Sequence, residues 1–156
     1  MIPEKVLQVL QAHGLSALEF EPGSTPTAEM AAKRLGVETA RIAKSLLFKS
    51  KEGSYHLVVC PGDKRLSSGV LKRLIGAKVS MTTADETERV TGFRPGGVCP
   101  FGLEGVEILL DQELGPLGVV YPAAGTDATG VPTTLDQLAA ITGGRIVEIG
   151  AASTVA

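Results

Sequence analysis

Lys44 is the first residue whose setting suggests chemistry. It stands in the run Ile42-Ala43-Lys44-Ser45-Leu46-Leu47-Phe48, whose bulky apolar residues, uninterrupted by Gly or Pro, predict a strand. Side chains alternate across a strand, so Lys44 shares a face with Ile42, Leu46 and Phe48, while Ala43, Ser45 and Leu47 take the other. An ammonium among apolar neighbours is costly to bury unless it meets an anion or opens on a cavity. The same placement also fits an edge-strand lysine whose stem packs while its head stays in water. The second feature is Gly96-Gly97-Val98-Cys99-Pro100, followed by Phe101-Gly102. Two glycines permit positive φ and close approach of a ligand to the backbone, and successive N–H groups there can cradle a carbonyl oxygen or an anion. An ordinary turn has the same composition.

Cys99 offers a rival chemistry. A catalytic thiolate needs a base or a local positive field, and only His13 and His56 are available as imidazole partners. Neither has a recognisable motif around it, so a bystander cysteine is the simpler reading, and Cys60, late in an apolar run, reads as core. Two isolated histidines and two isolated cysteines show none of the close spacings of zinc ligands. Neither G-x-x-x-x-G-K-[ST] nor G-x-G-x-x-G occurs. No metal and no cofactor are therefore expected.

The elements that must position these residues can be read in order. Val6, Leu7, Val9 and Leu10 predict a short helix ending near Gly14, with a strand over Leu15–Phe20. Thr25 as N-cap, Pro26 at the first helical position and Glu29 in the first turn open a second helix. Its apolar face is Ala28, Ala31, Ala32 and Leu35, and Gly36 ends it. Strands Ile42–Phe48 and Tyr55–Cys60 flank a turn at Glu52-Gly53, and Pro61-Gly62-Asp63 is a further turn. A helix from about Ser68 buries Val70, Leu71, Leu74 and Ile75 and stops at Gly76. Thr83-Ala84-Asp85-Glu86 reads as a capping box opening a helix to about Val90.

After the turn-rich Thr91–Gly102 come strands over Val106–Leu110 and Leu117–Tyr121, then a small-residue loop over Pro122–Gly130. Thr134-Leu135-Asp136-Gln137 is another capping box, with Leu135, Leu138 and Ala139 facing inward. Gly143-Gly144 closes that helix, Arg145–Ile149 is a last strand, and Ala151–Ala156 is expected to fray. Strands and helices mix without strict alternation. The expected class is α/β of the α+β type, a mixed β-sheet or barrel-like core flanked by helices.

Composition bounds the rest. A chain of 156 residues suits one domain. With 44% hydrophobic and 21% charged residues it is an ordinary globular composition. Aromatic residues make up 4% and Trp is absent, which argues against a stacking platform for single-stranded nucleic acid. No apolar run is long enough to span a bilayer, the N-terminus lacks signal-peptide regions, and two cysteines suit a reducing cytoplasm. The net charge of −2 conceals a basic middle: residues 33–94 hold thirteen of the fifteen Lys and Arg against six acids. Such a patch can meet phosphates by counterion release, and equally can be a solvated surface.

Four segments, in this order, resemble the YbaK/prolyl-tRNA synthetase editing-domain family. They are Thr27–Ala32, Ile42–Phe48, Thr91–Gly102 and Ala123-Ala124-Gly125-Thr126. The resemblance implies a mixed sheet flanked by helices and a free-standing deacylase that hydrolyses the ester of mischarged tRNA, often alanyl or cysteinyl groups on proline tRNA. It places the family's essential lysine on Lys44 and its G-x-x-x-P loop on Gly96, Gly97, Val98, Cys99 and Pro100, whose amides would hold the aminoacyl group. Ala123, Ala124, Gly125 and Thr126 would wall the pocket, Ser45 would border it, and Phe20 falls near a substrate-contacting tyrosine of some members. Three positions depart: Ala123 replaces a frequent serine, Cys99 a serine or proline, and Ser45 a threonine or asparagine. The implied partners are the 3′ aminoacyl end of mischarged tRNA and an aminoacyl-tRNA synthetase or elongation factor. A non-catalytic tRNA- or synthetase-binding module and a Cys99-dependent hydrolase stand as alternatives.

Overall fold

Five strands form the central sheet of the computed structural model, which describes residues 1–150. In sheet order they are β4 (Val79–Met81), β2 (Ala43–Ser50), β3 (Tyr55–Pro61), β5 (Val106–Asp111) and β7 (Arg145–Val147). β2 is antiparallel to β3 and β4, whereas β3, β5 and β7 run parallel. The sheet is mixed, as the sequence implies, and open, with β4 and β7 as its edges. Parallel pairing requires crossovers. Helices α3 (Ser68–Ile75) and α4 (Ala84–Thr91) lie between β3 and β5, and α5 (Leu135–Thr142) between β5 and β7.

Strand alternation sorts the side chains onto two apolar faces. Ala43, Leu47, Leu57, Val59, Ile108 and Leu110 pack with Val6 and Leu10 of helix α1 (Glu4–Ala12), with Phe93 and Phe101, and with Leu135 and Leu138. Phe48, Val58, Leu109 and Val147 take the opposite face against Leu71 of α3. Lys44 and Leu46 therefore fall on the α3 side and Ser45 on the α1 side. A third cluster joins Ala31 and Ala32 of helix α2 (Ala28–Leu35) to Ile42.

Several boundaries differ from the sequence expectations. The N-cap of α2 is Thr27, whose Oγ1 accepts from the Met30 N–H at 3.2 Å, two residues beyond the expected Thr25. Thr25 is instead tied by its own N–H to the Asp127 carbonyl at 2.7 Å, which keeps Pro26 outside the helix. Leu15–Phe20 yields only the two-residue β1 (Leu18–Glu19), paired with β6 (Thr129–Gly130). Leu117–Tyr121 makes isolated bridges rather than a strand, because Pro116 lacks an N–H and Gly118 adopts φ +73. β4 is too short for periodicity to reveal. The Thr83 hydroxyl caps α4, but the Glu86 side chain turns away to the Tyr55 hydroxyl (2.6 Å) and Lys49 (3.3 Å), so the box is half made. The Thr134 box is complete. The expected strand Arg145–Ile149 stops at Val147, and Ala151–Ala156 lie outside the described residues.

Candidate active site

β2 is covered by β4 only along Phe48–Ser50, with one further bond from the Thr82 N–H to the Leu47 carbonyl at 3.1 Å. At its other end the Ala43 N–H donates to the Tyr121 carbonyl at 3.1 Å. Backbone groups on one strand edge recur every second residue, so Ser45 points its N–H and C=O to the same side, between these two bonds. Among the described residues nothing pairs with them. An uncovered edge inside a domain leaves room for something else to bind.

A cavity of ≈220 Å³ fills that gap. Its walls come from the Thr25–Ala28 turn at the start of α2, from Ile42–Leu46, from Gly96 and Val98, and from Tyr121, Ala123 and Thr129. Lys44 is the one charged residue lining it among the described residues. Its ammonium is half-buried and donates to the Lys64 carbonyl at 2.5 Å. The buried hydroxyls of Ser45 and Thr25 have no hydrogen-bond partner among the described residues, which leaves them free to bind a polar ligand. No carboxylate or imidazole lines the cavity among those residues.

Lys44 is braced from below. Lys64 is only 5% exposed, with its ammonium 2.6 Å from the fully buried Asp111 and 3.2 Å from Glu113. Burial alone would lower the Lys64 pKa, but Asp111 and then Glu113 outweigh it and hold it above the usual lysine value. The turn carrying Lys64 also needs Gly62, because a Cβ there would lie 2.5 Å from the Thr39 carbonyl oxygen and 2.9 Å from Ala28 Cβ.

The glycine loop reaches the cavity in part. Gly96 adopts φ +95 and lines the wall with Val98. The Gly97 N–H is spent on the Arg94 carbonyl at 2.9 Å. A Cβ on Gly97 would lie 2.7 Å from the Thr126 nitrogen, so this glycine lets the two loops pack together. Cys99, Pro100 and Ala124 are buried behind the wall. Burial pushes the Cys99 thiol up to about 12, and Cys60 likewise to about 12. A neutral, fully buried thiol is a poor nucleophile. His13 is exposed, and His56 Nδ1 sits 2.7 Å from Glu107.

The structure thus brings Lys44, Ser45, Gly96, Val98 and Ala123 around one cavity, with Gly97, Gly125 and Thr126 supporting its wall. Phe20 is not in that lining; its ring lies under Arg34 at 4.4 Å. Reading the residues singly missed Thr25, Tyr121, Thr129 and Gly62. Composition gave no signal for them, because their role arises only where loops distant in sequence meet.

Comparison with known proteins assigns the chain to a family. The aminoacyl-tRNA editing domain matches residues 22–141, and the chain belongs to that family. It is 37% identical over 121 residues to "Uncharacterized protein YwhH" of Bacillus subtilis (strain 168), covering 77% of this chain and 76% of that protein. It is 27% identical to "Putative Cys-tRNA(Pro)/Cys-tRNA(Cys) deacylase EbsC" of Enterococcus faecalis (strain ATCC 700802 / V583), over 92% of this chain and 90% of that one. The crystal structure of "a putative trans-editing enzyme for prolyl tRNA synthetase" superposes with a TM-score of 0.84 at 31% identity, covering 96% of this chain and 98% of that chain.

Proposed function

We propose that the chain is a trans-editing deacylase that hydrolyses the ester of mischarged aminoacyl-tRNA, with the aminoacyl group held in the cavity at the open edge of β2. The observation that carries this reading is a small cavity with, among the described residues, a single cation at its mouth and two unpartnered hydroxyls in its wall. Family membership and the printed names of the relatives support the reaction class.

An aminoacyl ester is already activated, so positioning and charge stabilisation supply most of what the reaction needs. Water attacks the carbonyl carbon, the bond to the ribose oxygen breaks, and that oxygen takes up the proton. Free amino acid and uncharged tRNA are released. The lack of a lining carboxylate or imidazole among the described residues suits a water oriented by the site or by the adjacent ribose hydroxyl. Lys44 would exchange the Lys64 carbonyl for a substrate oxygen, either the carbonyl or a phosphate near the 3′ end. The amides of Gly96 and Val98, which donate to no backbone carbonyl among the described residues, would orient the aminoacyl group together with Ser45 and Thr25.

The printed name of the EbsC relative, which gives Cys-tRNA(Pro) and Cys-tRNA(Cys), favours a small aminoacyl group. Alanyl or cysteinyl groups on proline tRNA are the proposed substrates, in the cytoplasm, with a synthetase or elongation factor as partner. Deacylation of Ala-, Cys- and Ser-charged tRNA by the wild type, Lys44→Ala and Cys99→Ala tests this. Turnover that survives Cys99→Ala and collapses in Lys44→Ala is expected. Turnover lost with Cys99 would favour the thiol hydrolase, and no turnover on any substrate the binding module.

A further inference from the structure

A second cavity, of ≈390 Å³, lies on the α3 side of β2 and shares Lys44 and Leu46 with the first. The two meet across the uncovered stretch of the β2 edge. We propose that this second cavity binds the adenine of the 3′-terminal adenosine of the tRNA. The proposal rests on the deacylase reading and adds where the nucleoside goes.

The chemistry of the substrate sets the distance. The scissile ester sits on a ribose hydroxyl and the base on the same ring, so a carbonyl in the first cavity brings the adenine to its immediate border. The second cavity shares the Lys44 and Leu46 walls with the first. Leu46, Phe48, Leu66 and Leu71 give it an apolar interior suited to the face of a base. Met81, 60% exposed at its lip, is an adaptable side chain left uncovered. Ser68 at the rim offers a hydrogen bond to the base edge.

Charge completes the match. Lys64 is neutralised by Asp111 and Glu113. Arg65, exposed at the rim, has no ion pair or hydrogen bond among the described residues. Arg65 and Lys44 therefore flank the cavity with two cations for the 5′-phosphate of that adenosine.

The test combines steady-state deacylation of charged tRNA with titration of AMP into the isotope-labelled protein, followed by amide chemical shifts. Met81→Asp is expected to raise KM about ten-fold, the effect of one lost apolar contact, with kcat moving less. Met81→Leu should restore KM, and Arg65→Gln should raise KM and flatten its salt dependence. AMP should shift amides of Leu46, Leu66, Ser68 and Met81. Normal turnover with an unchanged KM in Met81→Asp, or AMP shifts confined elsewhere, would overturn the subsite while leaving the deacylase reading intact. Absence of wild-type turnover on every charged tRNA would overturn both.

Discussion

The ammonium of Lys44 donates to the backbone carbonyl of Lys64, and Lys64 buries its own ammonium against Asp111 at the end of β5. Support for the cavity mouth thus runs from the sheet interior through a buried ion pair to one backbone oxygen. Removing one partner of a buried pair leaves an uncompensated charge, which typically destabilises by about 3–5 kcal/mol. Asp111→Asn should therefore lower stability to denaturant and lower deacylation together. Asp111→Glu should recover part of both if the pair, rather than the shape of the side chain, is what matters.

Ser45 makes the opposite prediction for stability. Its buried hydroxyl has no partner among the described residues, and an unsatisfied buried polar group costs about 1–3 kcal/mol. Ser45→Ala should leave the fold as stable or more stable in urea melts, while kcat/KM for charged tRNA falls. A loss of stability without a loss of activity would assign the hydroxyl a structural role.

Two glycines should tolerate no side chain. Gly97→Ala would press a methyl onto the Gly125–Thr126 backbone, and Gly62→Ala onto the Thr39 carbonyl. Overpacking of this kind typically costs about 1–3 kcal/mol. Each variant should melt earlier and deacylate more slowly. Gly105→Ala, at φ +71 with nothing within 4 Å of the added Cβ, isolates the cost of backbone strain alone.

The thiols set an alkaline limit. Burial raises both Cys60 and Cys99 from 9.0 to about 12. A folded-state pKa above the unfolded value gives stability that is complete below pH 9 and lost as pH rises from 9 toward 12. Denaturation midpoints should therefore fall over that window. The fall should be smaller in Cys99→Ala, whose deacylation at neutral pH should stay near wild type.

Much of the frame was legible because local chemistry specified it. Thr134-Leu135-Asp136-Gln137 forms the capping box its spacing implies, and the alternation around Lys44 placed Leu46 and Phe48 opposite Ala43 and Leu47 as found. Thr25 was misread because Thr27 is an equally good cap, and only the long-range bond to Asp127 decides between them. The open edge at Ser45 was invisible, since it depends on how far β4 extends along β2. Cys99 reads as a bystander because no motif surrounds it, and tertiary packing adds that it is fully buried.

Lys44 carries the central claim, and its replacement is the direct test. Single-turnover deacylation of Ala- and Cys-charged proline tRNA should be compared for the wild type and a Lys44→Ala protein shown to be folded by circular dichroism. Loss of one preorganised electrostatic contact commonly lowers the rate ~10²–10³-fold, and a fall of that size is expected. A folded Lys44→Ala protein that deacylates at the wild-type rate would contradict the account.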